Sequence, residues 1–216
     1  MNDAKIKKLT TIGMLCAVSY VLMFAVRIPV VLFLKYEPKD VVITIGGFLM
    51  GPMTAFTISA VVSLIEMLTT SDTGIIGCIM NVISTCVFAC TASAIYKRHK
   101  HIKGAVCGLV VGTVVMTGVI LLWNYLITPL YMKLPREAVV PLLSTAILPF
   151  NLLKGCLNSA IIFLIYKPIV TALRKTNLVP KAEVATTNKS YSGAIAVSIL
   201  VIVTCIFAVL VFNGII

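Results

Sequence analysis

The stretch VVITIGGFLMGPMTAFTISAVVSLIEMLTT, residues 41–70, decides the kind of fold that this chain adopts, and its only charged residue is Glu66. One straight helix of this length would span about 45 Å, which is too long for a bilayer hydrocarbon core of about 30 Å. Gly51-Pro52 interrupts a helix near the middle of the stretch. We therefore predict two short helices joined by a tight turn, with a single kinked span as the alternative.

The composition of the whole chain indicates a membrane protein. Of its 216 residues, 60% are hydrophobic and 12% are charged, and the mean hydropathy is +1.09. A soluble domain of this size cannot bury so much apolar surface. The net charge of +11 comes from short basic runs between apolar stretches, without interleaved aromatic residues, so we expect no nucleic-acid partner.

Further apolar stretches lie on both sides of residues 41–70. We expect a retained helix in the run from Leu9 to about Leu34, and spans over 75–96, 104–132, about 144–166 and 193–216. The predicted fold is an all-α integral membrane protein. Its parts are a membrane domain over 1–173, a cytoplasmic linker over 174–192 and a further C-terminal transmembrane helix over 193–216.

The basic residues predict the orientation in the membrane. They concentrate in the N-terminal tail, in KRHKHIK at 97–103 and in 167–189, and the positive-inside rule places these segments in the cytoplasm. We expect a multi-pass protein of a bacterial cell membrane with a cytoplasmic N-terminus and, with seven spans, an extracellular C-terminus. A single kinked span over 41–70 would move the N-terminus outside and satisfy the charge rule equally well, so helix length and Gly51-Pro52 favour two helices.

Sequence motifs for catalysis are absent. The chain contains no P-loop, no HExxH, no GxSxG and no paired-carboxylate cluster. All seven cysteines lie inside apolar stretches without the spacing of a metal site, which favours a packing role. We therefore expect no enzymatic activity, no metal and no cofactor.

Polar residues inside the predicted spans are the informative ones. Asn151, Lys154 and Asn158 are spaced to form a polar stripe on one helix face. A lysine near the bilayer centre costs about 2.5–3.5 kcal/mol, so we predict that the stripe lines a polar pocket, with snorkelling of Lys154 to the interface as the alternative. Replacing this lysine should then leave folding intact, because it removes an expensive charge.

Other predicted spans carry polar or aromatic residues near the same side of the membrane. Asn81 and Asn124 fit a shared binding site, and Glu66 is either the counter-ion of Lys154 or an interfacial residue. Four aromatic residues fit either an interfacial belt or stacking on a planar ligand. They are Tyr36, Trp123, Tyr125 and Tyr131.

Small residues recur every four positions in two predicted helices. Gly104, Gly108 and Gly112 form GxxxGxxxG, and Gly13 and Ala17 form a shorter small-residue face in the first helix. Such faces let helices approach closely. We expect the glycine face to pack inside the bundle, whereas the first helix could offer its face to a partner protein.

Four stretches, taken in order, carry a family resemblance. They are KYEPKD at 35–40 leading into GGFLMGP at 46–52, GIIGCIMN at 74–81, NYLITPLY at 124–131 and PFNLLKG at 149–155. Over about residues 9–173 the chain resembles the substrate-binding S components of energy-coupling factor (ECF) vitamin transporters, and most closely the riboflavin-specific members.

The resemblance implies a six-helix bundle that binds a vitamin from outside and works with an ECF module of a membrane scaffold subunit and two ATPases. It assigns flavin contacts to Asn151 and Lys154, as an NxxK motif, to Asn124 and to the segment around 40–45. It assigns the scaffold interface to Gly13 and Ala17, although the strict AxxxA form is absent. It gives no role to 193–216. The full set of expected substrate-binding residues is Tyr36, Asp40, Val41, Ile43, Thr44, Ile45, Glu66, Asn81, Asn124, Asn151 and Lys154.

We therefore expect the substrate-binding subunit of an ECF-type importer. It would capture riboflavin, as transported ligand rather than cofactor, and deliver it inward with ATPase subunits supplied by other chains. The alternatives are an S component for another vitamin and a stand-alone secondary transporter that couples protons through Glu66 or Lys154.

Overall fold

The computed structural model describes residues 3–31, 34–70, 74–133, 135–175 and 188–212. Two short strands, β1 (Ile28–Val31) and β2 (Leu34–Tyr36), pair antiparallel and form a hairpin between the first two helices. A π-helical turn, Leu143–Ile147, joins the sixth helix to the seventh. The helices are α1 (Asp3–Ala25), α2 (Lys39–Met50), α3 (Pro52–Thr69), α4 (Gly74–Arg98), α5 (Ile102–Met132), α6 (Arg136–Leu142), α7 (Leu148–Lys175) and α8 (Asn188–Phe212).

Among the described residues, five helical segments are long and apolar enough to cross a bilayer. α2 is shorter, because its 12 residues span only about 18 Å, and α8 contains the apolar stretch Ile195–Val211. The predicted all-α membrane fold is confirmed, with the small hairpin as an addition. The five segments are Lys5–Ala25, Pro52–Thr69, Gly74–Arg98, Ile102–Leu130 and Arg136–Leu173.

The predicted turn at Gly51-Pro52 is confirmed, and the single kinked span is wrong. α2 ends at Met50 and α3 begins at Pro52. Gly51 between them has φ +99°, a conformation that residues with a Cβ rarely adopt. Pro52 occupies the first position of α3, where its missing N–H leaves no helical hydrogen bond unmade.

Several predicted boundaries need correction. The helix predicted from Leu9 to about Leu34 ends at Ala25, and the hairpin follows it; Pro29 lies in that hairpin and could not donate a helical hydrogen bond. The helix predicted over about 144–166 runs as α7 from Leu148 to Lys175, after α6 and the π-helical turn. The linker predicted over 174–192 is shorter than expected, because α7 extends to Lys175 and α8 begins at Asn188; its residues 176–187 lie outside the described residues.

The glycine face of α5 packs inside the bundle, as predicted. A Cβ on Gly108 would lie 2.7 Å from the Ala92 carbonyl oxygen of α4, and one on Gly112 would lie 2.9 Å from that of Phe88. Both distances are too short for any side chain. By contrast, Gly13 and Ala17 on α1 are exposed, and a Cβ on Gly13 would meet nothing within 4 Å.

α2 lies at the centre of the bundle, in contact with α1, α3, α4 and α7. On one side Val41 and Ile45 pack with α4, α5 and α7, and on the other Ile43 packs with α1 and α3. Because the helix is surrounded, the charged residues at its N-terminus are enclosed by protein, and they organise the polar site.

Candidate functional site

Two charged residues begin α2 and are enclosed by the surrounding helices. Lys39 is 1% exposed and Asp40 is 0% exposed. A buried ammonium or carboxylate is tolerated when it is paired and hydrogen-bonded. Each of these two residues belongs to its own polar network, and the networks lie side by side because the residues are adjacent in sequence.

The first network is centred on the Asp40 carboxylate and joins α2, α4, α7 and β2. Lys154 Nζ lies 2.9 Å from Asp40 Oδ2, and Thr85 Oγ1 donates to Oδ1 at 2.7 Å. Asn158 Nδ2 donates to Oδ2 at 3.4 Å. The Tyr36 hydroxyl completes the chain by donating to Asn158 Oδ1 at 2.8 Å.

These contacts revise the interpretation of Lys154. The side chain is buried and paired rather than snorkelling to an interface, and its counter-ion is Asp40 rather than Glu66. This pairing argues against the expectation that removing Lys154 leaves folding intact, because removal would leave Asp40 as an uncompensated buried charge. An ammonium has three donor hydrogens, so two remain for a ligand after the bond to Asp40.

The second network is centred on Glu66, near the end of α3. Its carboxylate accepts hydrogen bonds from Lys39 Nζ, from Asn81 Nδ2 at 3.0 Å and from Arg27 Nη2 at 3.4 Å. Glu37 bridges the same two cations, with its oxygens 2.7 Å from Arg27 Nε and 2.9 Å from Lys39 Nζ. Two carboxylates thus balance two cations, and this network ties the hairpin to α2, α3 and α4.

The contacts of Glu66 differ from the pairing predicted for it. It is 3% exposed and therefore enclosed by protein, and its cationic partners are Lys39 and Arg27 rather than Lys154. Asn81, predicted as a substrate contact, lies in this second network as a donor to Glu66.

Two titratable groups next to α2 have shifted pKa values. Burial alone would raise the pKa of Glu37, but the Lys39 and Arg27 charges outweigh it and hold the pKa below its ordinary value. Burial, reinforced by the Asp40 charge, raises the pKa of Tyr36. At neutral pH Glu37 is therefore ionised, and the Tyr36 hydroxyl keeps the proton that it donates to Asn158.

Asn124 and Asn151 are both buried and bond to their own helices. Asn124 Nδ2 donates to the Ile120 carbonyl at 2.8 Å, and Asn151 Nδ2 donates to the Ile147 carbonyl at 2.8 Å. The Thr128 hydroxyl donates to Asn124 Oδ1 at 2.9 Å. Each amide nitrogen carries a second hydrogen that a ligand could accept.

The predicted segment 40–45 is buried throughout, but its side chains face different neighbours. Val41 and Ile45 face α5 and α7, so they lie on the side of Lys154. Ile43 packs on the opposite side of α2 with α1 and α3. The Thr44 hydroxyl donates to the Asp40 backbone carbonyl at 2.7 Å, which leaves it a local role.

The aromatic residues separate into buried and exposed ones. Tyr36 is 3% exposed and belongs to the Asp40 network rather than to an interfacial belt. Tyr125 is exposed, and the Arg136 guanidinium lies 5.9 Å from the centre of its ring, as an interfacial residue would be placed. Trp123 is half-buried, and the side chain of Tyr131 lies outside the described residues.

Sequence reasoning missed four residues of the two networks: Arg27, Glu37, Lys39 and Thr85. Arg27 lies inside the helix predicted from Leu9 to about Leu34, and Glu37 and Lys39 belong to KYEPKD at 35–40, from which only Tyr36 and Asp40 were assigned to the site. The sequence feature that could have indicated these three residues is a cluster of charged residues directly before a buried helix, in a chain that has few charged residues. Thr85 gave no signal, because a threonine inside a membrane helix usually bonds to its own backbone.

Known proteins similar to this chain are transporter components. The chain is 29% identical to "Riboflavin transporter RibU" of Staphylococcus aureus (strain TCH60) over 184 residues, which cover 81% of this chain and 96% of that protein. It is 28% identical to "Riboflavin transporter FmnP" of Bacillus subtilis (strain 168) over 189 residues, covering 81% and 99%.

A solved structure agrees with these relatives. An S component of a bacterial ECF transporter superposes with a TM-score of 0.67 at 29% identity, covering 78% of this chain and 98% of that one. The family model "ECF transporter, substrate-specific component" matches residues 7–166. Because that match covers most of the chain, this protein belongs to the substrate-specific components of ECF transporters.

Proposed function

We propose that this chain is the riboflavin-binding subunit of an ECF-type importer, with riboflavin as its transported substrate and not as a cofactor. The similarity to riboflavin transporters over nearly their whole length supports this substrate. The family comprises transporter components and not enzymes. The observation that carries the proposal is the buried Lys154, which is held in place by Asp40 and keeps donors available for a neutral ligand.

The residues near Lys154 match the chemistry of a flavin. The pyrimidine-dione edge of riboflavin offers carbonyl acceptors and an N–H donor, and the amides of Asn124 and Asn151 can supply both partners. Lys154 would donate to a ring carbonyl or to a ribityl hydroxyl. Apolar side chains such as Val41 and Ile45 would cover the ring faces. Tyr36, another of the expected contacts, would act indirectly, because its hydroxyl bonds to Asn158, which bonds in turn to Asp40.

The direct test is a titration of the purified protein with riboflavin in detergent. We expect quenching of flavin fluorescence that saturates at one site per chain. Lys154→Met should weaken binding by about 1.5–3 kcal/mol, or about 10- to 150-fold, because a charge-assisted hydrogen bond is lost.

A second variant separates the binding role of Lys154 from its role in stability. In Asp40→Asn combined with Lys154→Met, no buried charge is left unpaired, so the fold should be more stable than with Lys154→Met alone. The riboflavin affinity of the double variant should stay as low as that of Lys154→Met, because both lack the ammonium donors of Lys154. Unchanged affinity in a folded Lys154→Met protein would contradict the site, and binding of another vitamin in place of riboflavin would contradict the substrate.

We also propose that uptake requires an ECF module made of a scaffold subunit and two ATPases. The family supports association with that module, and the chain has no phosphate-binding loop of its own. The exposed face of α1 around Gly13 and Ala17 suits the scaffold contact. With α2 and α3 as two separate helices, cytoplasmic basic segments at 97–103 and 167–189 favour a cytoplasmic N-terminus and an extracellular C-terminus.

Reconstitution into liposomes tests the dependence on the module. With this chain alone, riboflavin should not accumulate against its gradient, with or without a proton or sodium gradient. When the ECF module is present and ATP is supplied on the side of its ATPase subunits, riboflavin should accumulate against its gradient. Concentrative uptake by this chain alone, driven by an ion gradient, would instead support a secondary transporter.

A further inference from the structure

α8 lies outside the part of the chain that the family model describes. The match ends at residue 166, and 78% of this chain suffices to cover 98% of the solved S component. α8 begins at Asn188. Its role therefore has to be inferred from its own contacts.

The C-terminal half of α8 packs on the hairpin and on the first half of α7. Cys205 is buried in one cluster with Val30 of β1, Tyr36 of β2, and Phe150 and Leu153 of α7. Three further residues of α8 pack against the same cluster, at spacings that place them on the Cys205 face of the helix. They are Val201, Ala208 and Val209.

The hairpin depends on such packing for its stability. It has four residues in one strand and three in the other, with a register shift between Pro29 and Val31. An isolated pair of strands is marginal at best, so the hairpin needs packing from neighbouring elements. Val30 is 1% exposed, and Cys205 of α8 belongs to the cluster that buries it.

Tyr36 connects this packing to the polar site. Its ring lies in the cluster with Cys205, and its hydroxyl bonds to Asn158, which bonds in turn to Asp40 beside Lys154. We propose that α8 stabilises the hairpin against α7 and thereby slows release of the ligand. This inference rests on the proposed riboflavin site for its ligand, and Cys205 acts as a positioning residue.

The test compares two tryptophan substitutions in the full-length chain, one at a buried and one at an exposed position of α8. Cys205→Trp inserts bulk into the cluster, whereas Ile206→Trp places the same side chain on the exposed face, where Ile206 is 53% exposed. In ligand-free protein, amide hydrogen exchange of β1 and β2 should rise about tenfold with Cys205→Trp and stay unchanged with Ile206→Trp. Exchange of α4 and α5 should stay unchanged in both, which separates a local effect from global unfolding.

Riboflavin release provides the second measurement. We expect the dissociation rate to rise about tenfold with Cys205→Trp and to stay unchanged with Ile206→Trp. If Cys205→Trp does not fold, the combined Cys205→Ala and Val209→Ala variant replaces it, because it removes packing without adding bulk. This variant should raise the hydrogen-exchange rate of the hairpin and the dissociation rate of riboflavin about threefold.

Equal hairpin exchange in the two tryptophan variants would overturn the proposal. Faster exchange with an unchanged dissociation rate would overturn it too, since α8 would then only pack. If the native chain binds no riboflavin, the substrate assignment fails, whereas the ligand-free exchange measurement still decides whether α8 stabilises the hairpin.

Discussion

Replacing Asp40 by asparagine is expected to lower the free energy of unfolding by about 3–5 kcal/mol. Asp40 is completely buried and is the carboxylate that Lys154 contacts at 2.9 Å. Asparagine keeps the shape and can still accept from Thr85, but it removes the charge and places an amide nitrogen where Oδ2 accepts from Lys154 and Asn158. The Lys154 ammonium would then be left in the bundle without a counter-ion. Thermal unfolding in detergent, followed by circular dichroism, measures the loss.

The combined Asp40→Asn and Lys154→Met variant is the control. Because it removes both charges, it should recover most of the stability that each single change loses, and the double-mutant cycle isolates their coupling. Additive losses in the cycle would show that the two groups do not depend on each other, and would contradict the pairing at the centre of the site.

The sequence predicted those parts of the fold that depend on local chemistry. The two helices on either side of Gly51 follow from the length of an apolar stretch and from a glycine-proline pair. The packing of Gly108 and Gly112 on α4 follows from four-residue spacing. The hairpin was missed, because Ile28, Val30 and Val31 are as apolar as a membrane helix; Pro29 was the local signal that the helix had already ended.

The sequence predicted which residues belong to the site better than it predicted which of them pair with each other. Asn151, Lys154 and Asn158 were placed on one helix face by their spacing, and all three are buried. The counter-ion of Lys154 was not recoverable in this way, because Asp40 is far away in sequence and meets it through the packing of α2 on α7. Glu66 was the acid that the sequence suggested, and only the arrangement of Lys39 and Arg27 around it shows which cations it pairs with.

Glu66→Gln is the other substitution for which we expect a large effect, a loss of about 3–5 kcal/mol in the free energy of unfolding. The Glu66 carboxylate accepts from Lys39, Arg27 and Asn81, and Lys39 is almost fully buried. Glutamine has nearly the same shape but carries no charge, and its amide nitrogen would face cationic donors. Lys39 and Arg27 would keep their contacts to the Glu37 carboxylate but lose the charge of Glu66.

Glu137→Gln is the matched control for this change, because Glu137 is an exposed residue at the start of α6. It should alter stability by no more than about 0.5 kcal/mol. Adding Lys39→Met to Glu66→Gln leaves one cation and one carboxylate, so part of the lost stability should return. The same thermal unfolding measurement compares all three proteins. If Glu66→Gln were as stable as Glu137→Gln, the charges around Glu66 would be solvated, and the second network would not be what attaches the hairpin to α2 and α3.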